Sequence, residues 1–135
     1  MTFPMKKTKI ILFFFLIIVL TTYCKKDKIE TDPRKAFLGK WELIEMGNWP
    51  QMDPVNQPNG YKEYMPDSIL REYDYNTGNV FIKKYWIDSL LNVSSTNGGS
   101  PALLFQYKFE FYDNKLRLDV TNFYMLYTTS IYKRF

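Results

Sequence analysis

Phe105-Gln106-Tyr107-Lys108-Phe109-Glu110-Phe111 runs through Tyr112-Asp113-Asn114-Lys115 into Leu116-Arg117-Leu118-Asp119-Val120. In the first segment aromatic and polar residues alternate strictly, and in the second aliphatic and charged residues do. A period of two puts one set of side chains on each face of a pleated strand, so each segment is a strand with one face in a core. Asp113-Asn114 between them supplies residues that tolerate left-handed backbone, and the unit is predicted to be a β-hairpin.

The same signal extends upstream. Residues 68–75 and 80–87 flank Asn76-Thr77-Gly78-Asn79 and are rich in Tyr, Phe, Ile and Trp, which suit pleated surfaces, so a second hairpin is expected. Residues 41–46 and 61–65 read as two more strands, and residues 123–135 as one or two. No stretch keeps a helical period over several turns. The reading is an all-β antiparallel fold of seven or eight strands. Residues 47–60, with Pro50, Pro54 and Pro58, and residues 92–101, rich in Ser, Asn and Gly, are read as long loops.

The beginning of the chain follows other rules. Lys6, Lys7 and Lys9 precede an unbroken apolar run over residues 10–20, IILFFFLIIVL. A basic segment followed by roughly 7–15 apolar residues has the form of a secretory signal and is shorter than the ~20 residues of a spanning helix. Residues 1–23 are therefore expected to be a signal peptide. Cys24 follows it and is the only cysteine, with no A-x-A cleavage site before it. Its position matches that of the lipidated cysteine of bacterial lipoproteins, although Leu20-Thr21-Thr22-Tyr23-Cys24 departs from the usual lipobox in the placement of Leu20 and in the bulk of Tyr23. Residues 24–32, charged and poor in large apolar groups, read as lipidated cysteine and tether, and residues 33–135 as the domain. The expected location is the outer membrane, because Lys25 rather than an aspartate follows the cysteine.

Charge and composition narrow the function classes. The whole chain has 18 basic and 14 acidic side chains; without the three lysines of residues 1–23, 15 basic face 14 acidic, a net charge of about +1. That balance removes the argument for a nucleic-acid partner. With no histidine and one cysteine the chain has neither a Ser-His-Asp set nor a zinc-type ligand set. Acid pairs such as Asp67/Glu72 or Asp74/Glu110 read as solvated strand residues. The expectation is a monomer that is not an enzyme, with neither cofactor nor metal.

Asp32-Pro33-Arg34-Lys35-Ala36-Phe37-Leu38-Gly39 carries an N-cap, a proline for the first helical position and a terminating glycine, which predicts one short helical turn. Gly39-Lys40-Trp41 follows at the start of the first strand. A Gly-x-Trp in this position, with a β-meander after it and Arg134 near the end of the last strand, resembles a lipocalin (calycin) barrel, closest to the compact lipocalin-like domains on lipid anchors of Gram-negative bacteria. The resemblance implies that Trp41 plugs the closed end with Arg134 packed across its indole. It also implies a small hydrophobic or amphipathic ligand at the open end, with Trp49 and Met52 of the first long loop as a lid. The shorter length departs from full lipocalins. The other reading is a structural or interaction lipoprotein with a filled barrel that docks a protein or glycan partner, for which the 20 aromatic residues beyond residue 23 serve as packing.

Overall fold

The structure, a computed structural model, describes residues 30–95 and 103–135. The expected signal peptide, Cys24 and most of the tether lie outside the described residues, as do residues 96–101 of the second predicted loop and residue 102 after it. The described residues form one short helix, α1 (Pro33–Phe37), and nine strands: β1 (Gly39–Asn48), β2 (Gln51–Pro54), β3 (Gly60–Tyr64), β4 (Ile69–Asp74), β5 (Val80–Ile87), β6 (Leu91–Ser95), β7 (Leu103–Tyr112), β8 (Lys115–Val120) and β9 (Thr129–Arg134). Every pairing is antiparallel. Strands β1 and β3 to β9 run as a meander that closes through β1–β9, with β2 added to β1 as an extra strand. The architecture is thus an all-β, closed eight-stranded antiparallel meander barrel: its strands are those the alternation predicts, and its closure is what the lipocalin resemblance implies.

Asp113 and Asn114 take φ values of 45° and 63° in a two-residue turn, and Tyr112 pairs with Lys115, so the hairpin over β7 and β8 has the predicted register. Register then decides which residues fill the barrel. Leu116 and Leu118 are fully buried, and with them the inward set includes Trp41, Tyr64, Leu70, Tyr85, Leu91, Val93 and Tyr132. Helix α1 is capped by Asp32, whose side chain accepts from the Arg34 amide at 3.0 Å. It drives Phe37, with 0 % exposure, into one end of the barrel against Tyr64, Phe109 and Phe111, at centroid distances of 5.0, 5.1 and 4.9 Å.

Two of the predicted loops contain strands. Residues 51–54 pair with the second half of β1, and Pro54 is tolerated because β2 lies at an edge, where an amide N–H is dispensable. A register shift between Leu43 and Glu45 bends β1, so its first half pairs with β3 and its second half with β2. Residues 91–95 lie between β5 and β7, with Leu91 and Val93 in the core. Conversely, residues 123–128 are not a strand: β9 begins at Thr129, and the preceding loop exposes Phe123, Tyr124, Met125, Leu126 and Tyr127.

Candidate functional site

The barrel has two unlike ends. At the α1 end, Trp41 is 2 % exposed, and its indole Nε1 donates to the Phe37 carbonyl at 2.6 Å. The Arg134 guanidinium carbon lies 4.6 Å from the Trp41 ring centroid, and Arg134 also donates to the Ala36 carbonyl. One arginine thus covers the indole and satisfies a helix carbonyl left without an intrahelical partner. At this end a recess of about 720 Å³ is lined by Trp41, Phe111 and Arg134 together with Glu30, Lys35, the Asp113-Asn114 turn and Lys115.

Toward the other end the barrel opens to solvent. A cavity of about 460 Å³ opens between the second half of β1 and the strands β3 to β5. Leu43, Met46, Val55, Phe81 and Tyr132 give it an apolar and aromatic lining, Lys62 and Glu72 face into it, and Asn59, Gly60, Tyr61, Tyr73 and Asp74 complete the wall. The charged residues reach the interior by register. Lys62 pairs with Trp41 and with Glu72, and Lys83 pairs with Leu70; cross-strand partners share a face, so both lysines and the glutamate point inward with the core.

These three side chains form a linked cluster. Glu72 binds Lys83 at 2.5 Å through Oε2 and Lys62 at 3.5 Å through Oε1, with all three side chains about three-quarters buried. The Lys62 ammonium also lies 5.1 Å from the Tyr132 ring centroid. Burial pushes the Glu72 carboxyl up, but the charges and hydrogen bonds of Lys62 and Lys83 outweigh it and hold the group below the usual carboxylate range. Burial likewise disfavours charged Lys62, yet the oxygens of Tyr132 and Tyr64 and the Glu72 carboxylate hold its ammonium above the usual lysine range. One acid between two bases leaves the cluster itself with a net charge of +1, which Asp74 in the same cavity wall offsets.

Tyr64 lies one inward position nearer the α1 end than Lys62. Its hydroxyl is buried and has no hydrogen-bond partner among the described residues, whereas the neighbouring Tyr85 hydroxyl donates to the Met65 carbonyl at 2.7 Å. Burial raises the Tyr64 phenol far above the ordinary range, and burial also raises Tyr107. Both tyrosines are therefore neutral hydroxyl donors at any physiological pH.

Trp49 and Met52 are not in the lining of this cavity. Trp49 stacks on Arg117, at 4.6 Å from guanidinium carbon to ring centroid. Arg117 alternates with the buried Leu116 and Leu118, so the indole rests on the outer barrel wall, above a network in which Arg117 binds Glu110 and Asp119, each at 3.1 Å. Met52 pairs with Gly47, whose β9 partner Thr129 belongs to that same outer face. Asp74, one of the acids weighed in the sequence, accepts the amides of Asn76 and Thr77 and so shapes the β4–β5 turn. No group of three or more His, Cys, Asp or Glu side chains suited to a metal ion occurs among the described residues.

The loop before β9 is the other prominent feature of the open end. Asn48 accepts from the amide and hydroxyl of Thr128 at 3.1 and 3.0 Å and donates to the Leu126 carbonyl at 3.2 Å. Asn122 bridges to the β7 backbone, accepting from the Gln106 amide and donating to the Leu104 carbonyl. Pinned at both ends, the loop holds Tyr124 and Leu126 in solvent, the latter 81 % exposed. In comparisons with known proteins, no family model matches the chain and no curated relative does.

Proposed function

We propose that the protein is a lipocalin-like binding module, held at the outer membrane by a lipid on Cys24, whose barrel takes up a small hydrophobic or amphipathic molecule. The observation that carries this reading is the cavity beside Lys62 and Glu72. Its volume of about 460 Å³ falls within the range of small-molecule sites, and its lining is mostly apolar with a few convergent polar groups, as such sites are. The Gly-x-Trp opening, the α1 plug and the Arg134 stack on Trp41 support the family resemblance. Closure of one end leaves entry to the other.

Native mass spectrometry of the protein purified from its host without detergent tests the binding. A co-purifying small molecule is the expected result; a clean apo mass with no thermal shift across a lipid and metabolite panel sinks the reading. The anchor is tested separately. Palmitate labelling of the wild-type chain and its loss in Cys24→Ser are expected, and equal labelling of both would remove the lipid.

A second reading, docking of a protein or glycan partner, is favoured by the run of residues 123–127, whose five large side chains are exposed on a pinned loop. A Tyr124→Ser/Leu126→Ser variant is expected to keep its stability within about 0.5 kcal/mol, because neither side chain packs in the core. Urea denaturation checks that result. Loss of a partner from cross-linked envelopes in the variant, with ligand uptake intact, would favour docking.

A further inference from the structure

Five consecutive large side chains, Phe123 to Tyr127, stand out of the open end between β8 and β9. Tyr124 is fully in solvent and Leu126 nearly so, and the run forms separate knobs instead of a flat patch or a groove. No charge accompanies them. Residues 120–132 contain no Asp, Glu, Lys or Arg, and neither do residues 47–52 and 103–107, the segments bonded to the loop through Asn48 and Asn122. The loop is also held in place. Asn48 takes up the Leu126 carbonyl and the Thr128 amide, Asn122 ties the other end to the Leu104 carbonyl, and the Phe123 ring packs on Phe105 at 4.8 Å between centroids. Two neutral asparagines thus satisfy backbone groups that would otherwise need water, which is a condition for moving a loop into an apolar medium.

We infer that residues 123–127 dock on a lipid bilayer, entering its headgroup region as a pinned wedge without help from lipid charge. Tyr, Phe, Leu and Met suit this depth: each has an apolar body, and Tyr124 and Tyr127 keep a hydroxyl for the wet side. A protein partner fits the loop less well. Interface hot spots are aromatic anchors seated in packed pockets behind a polar rim, whereas Tyr124 protrudes with nothing around it. A bilayer needs no shape complement and receives such knobs singly. The span also fits. Strand β9 carries six residues from the loop to Arg134, which bonds the Ala36 carbonyl at the closed end, a distance of about 20 Å at ~3.3 Å per residue. Cys24 lies six residues before Glu30, and six residues reach about 20 Å at most. A barrel held through a lipid on Cys24, as proposed above, can therefore lean until this loop meets the same bilayer. The contact itself requires no ligand in the cavity.

The test reconstitutes the full chain on phosphatidylcholine vesicles, with Tyr124→Trp placing an indole at the loop tip and its emission taken as the difference from the wild-type chain. The readout is the depth of this residue, which an N-terminal anchor alone does not set. Lipid brominated in the upper acyl chain is expected to quench the added emission at least about twofold more strongly than in a second chain that also carries Met125→Ser and Leu126→Ser. Acrylamide in the water should show the reverse order. Both chains should keep the wild-type urea midpoint, because the altered side chains lie outside the core. With no charge in the loop, quenching should stay the same between about 0.05 and 0.5 M salt and on adding anionic phosphatidylglycerol. Bromine quenching that is absent, or equal in the two chains, would overturn the bilayer contact, and cross-linking of the same residue to one envelope protein would then assign the loop to a partner. Quenching that appears only with anionic lipid and disappears with salt would overturn it as well, since headgroup charge would be the attraction. A chain that leaves the vesicles altogether would overturn both this contact and the anchor. None of these outcomes decides the cavity reading, which the co-purifying ligand tests separately.

Discussion

Trp41→Ala is expected to lower the unfolding free energy by about 3–5 kcal/mol, the largest effect of any single truncation at the closed end. The indole is buried among Phe37, Phe111 and Arg134, and truncation removes its contacts without removing the helix that covers it. It also strands two groups. The Phe37 carbonyl loses the 2.6 Å bond from Nε1, and the Arg134 guanidinium loses the ring it stacks on. Arg134→Met, which keeps the aliphatic stem, separates the contributions: losing the cation–π contact and the bond to Ala36 at a solvent-exposed residue should cost about 1 kcal/mol. Urea denaturation of both variants, with the slope on denaturant unchanged, is the measurement. A loss below about 1 kcal/mol for Trp41→Ala would mean that Phe37 alone closes the barrel.

The closed end and the hairpins were legible in the sequence because their signals are local. Asp32, Pro33 and Gly39 mark the helix ends, the alternation from Phe105 to Val120 sets a face for every side chain, and Asp113-Asn114 fixes the register between the two strands. Strand β6 was hidden because its outward positions are Asn92 and Ser94, residues that favour turns. In the barrel Asn92 instead bonds Asp88 and Gln106, at 3.1 and 3.0 Å, and is 2 % exposed. Strand β2 was hidden by Pro54, which an edge strand can hold, and by the flanking Pro50 and Pro58. Residues 123–127 misled in the opposite direction: they are as apolar as a core strand but lack alternation, and the fold leaves them outside.

The candidate site was illegible for a different reason. Alternation is read with charged residues pointing outward, yet Lys62, Glu72 and Lys83 point inward on three successive strands. Each alone looks like a solvated strand residue, and only the register, Leu70 opposite Lys83 and Glu72 opposite Lys62, joins them into one cluster. A usable signal did exist. Once Leu70 is assigned to the core, the hairpin across residues 76–79 forces Lys83 to the same face, and Glu72 two residues after Leu70 follows. Trp49 and Met52 pointed elsewhere, because the bend in β1 carries the β1–β2 hairpin onto the outer wall.

That inward acid predicts the second large effect, an acid-sensitive interior. Glu72→Gln is expected to cost about 2 kcal/mol at pH 7, because it removes two charge-assisted contacts and leaves Lys62 and Lys83 unneutralised in a mostly buried setting. The pH dependence follows from the direction of the shift. The Glu72 carboxyl is held lower in the folded chain than in the unfolded one, so between those two values the unfolded state binds more protons and stability rises with pH. Its contribution is complete above the ordinary glutamate value of about 4.3 and is lost as pH falls through the lower folded value. Lys62, held above its ordinary range, has the opposite sign: its share is complete below about pH 10.4 and is lost only as pH rises through the folded value. Urea midpoints for wild type and Glu72→Gln from pH 2 to pH 8 should therefore differ by a constant amount above about pH 5 and converge below it. Parallel curves across the whole range would show that Glu72 carries no linked charge in the folded barrel.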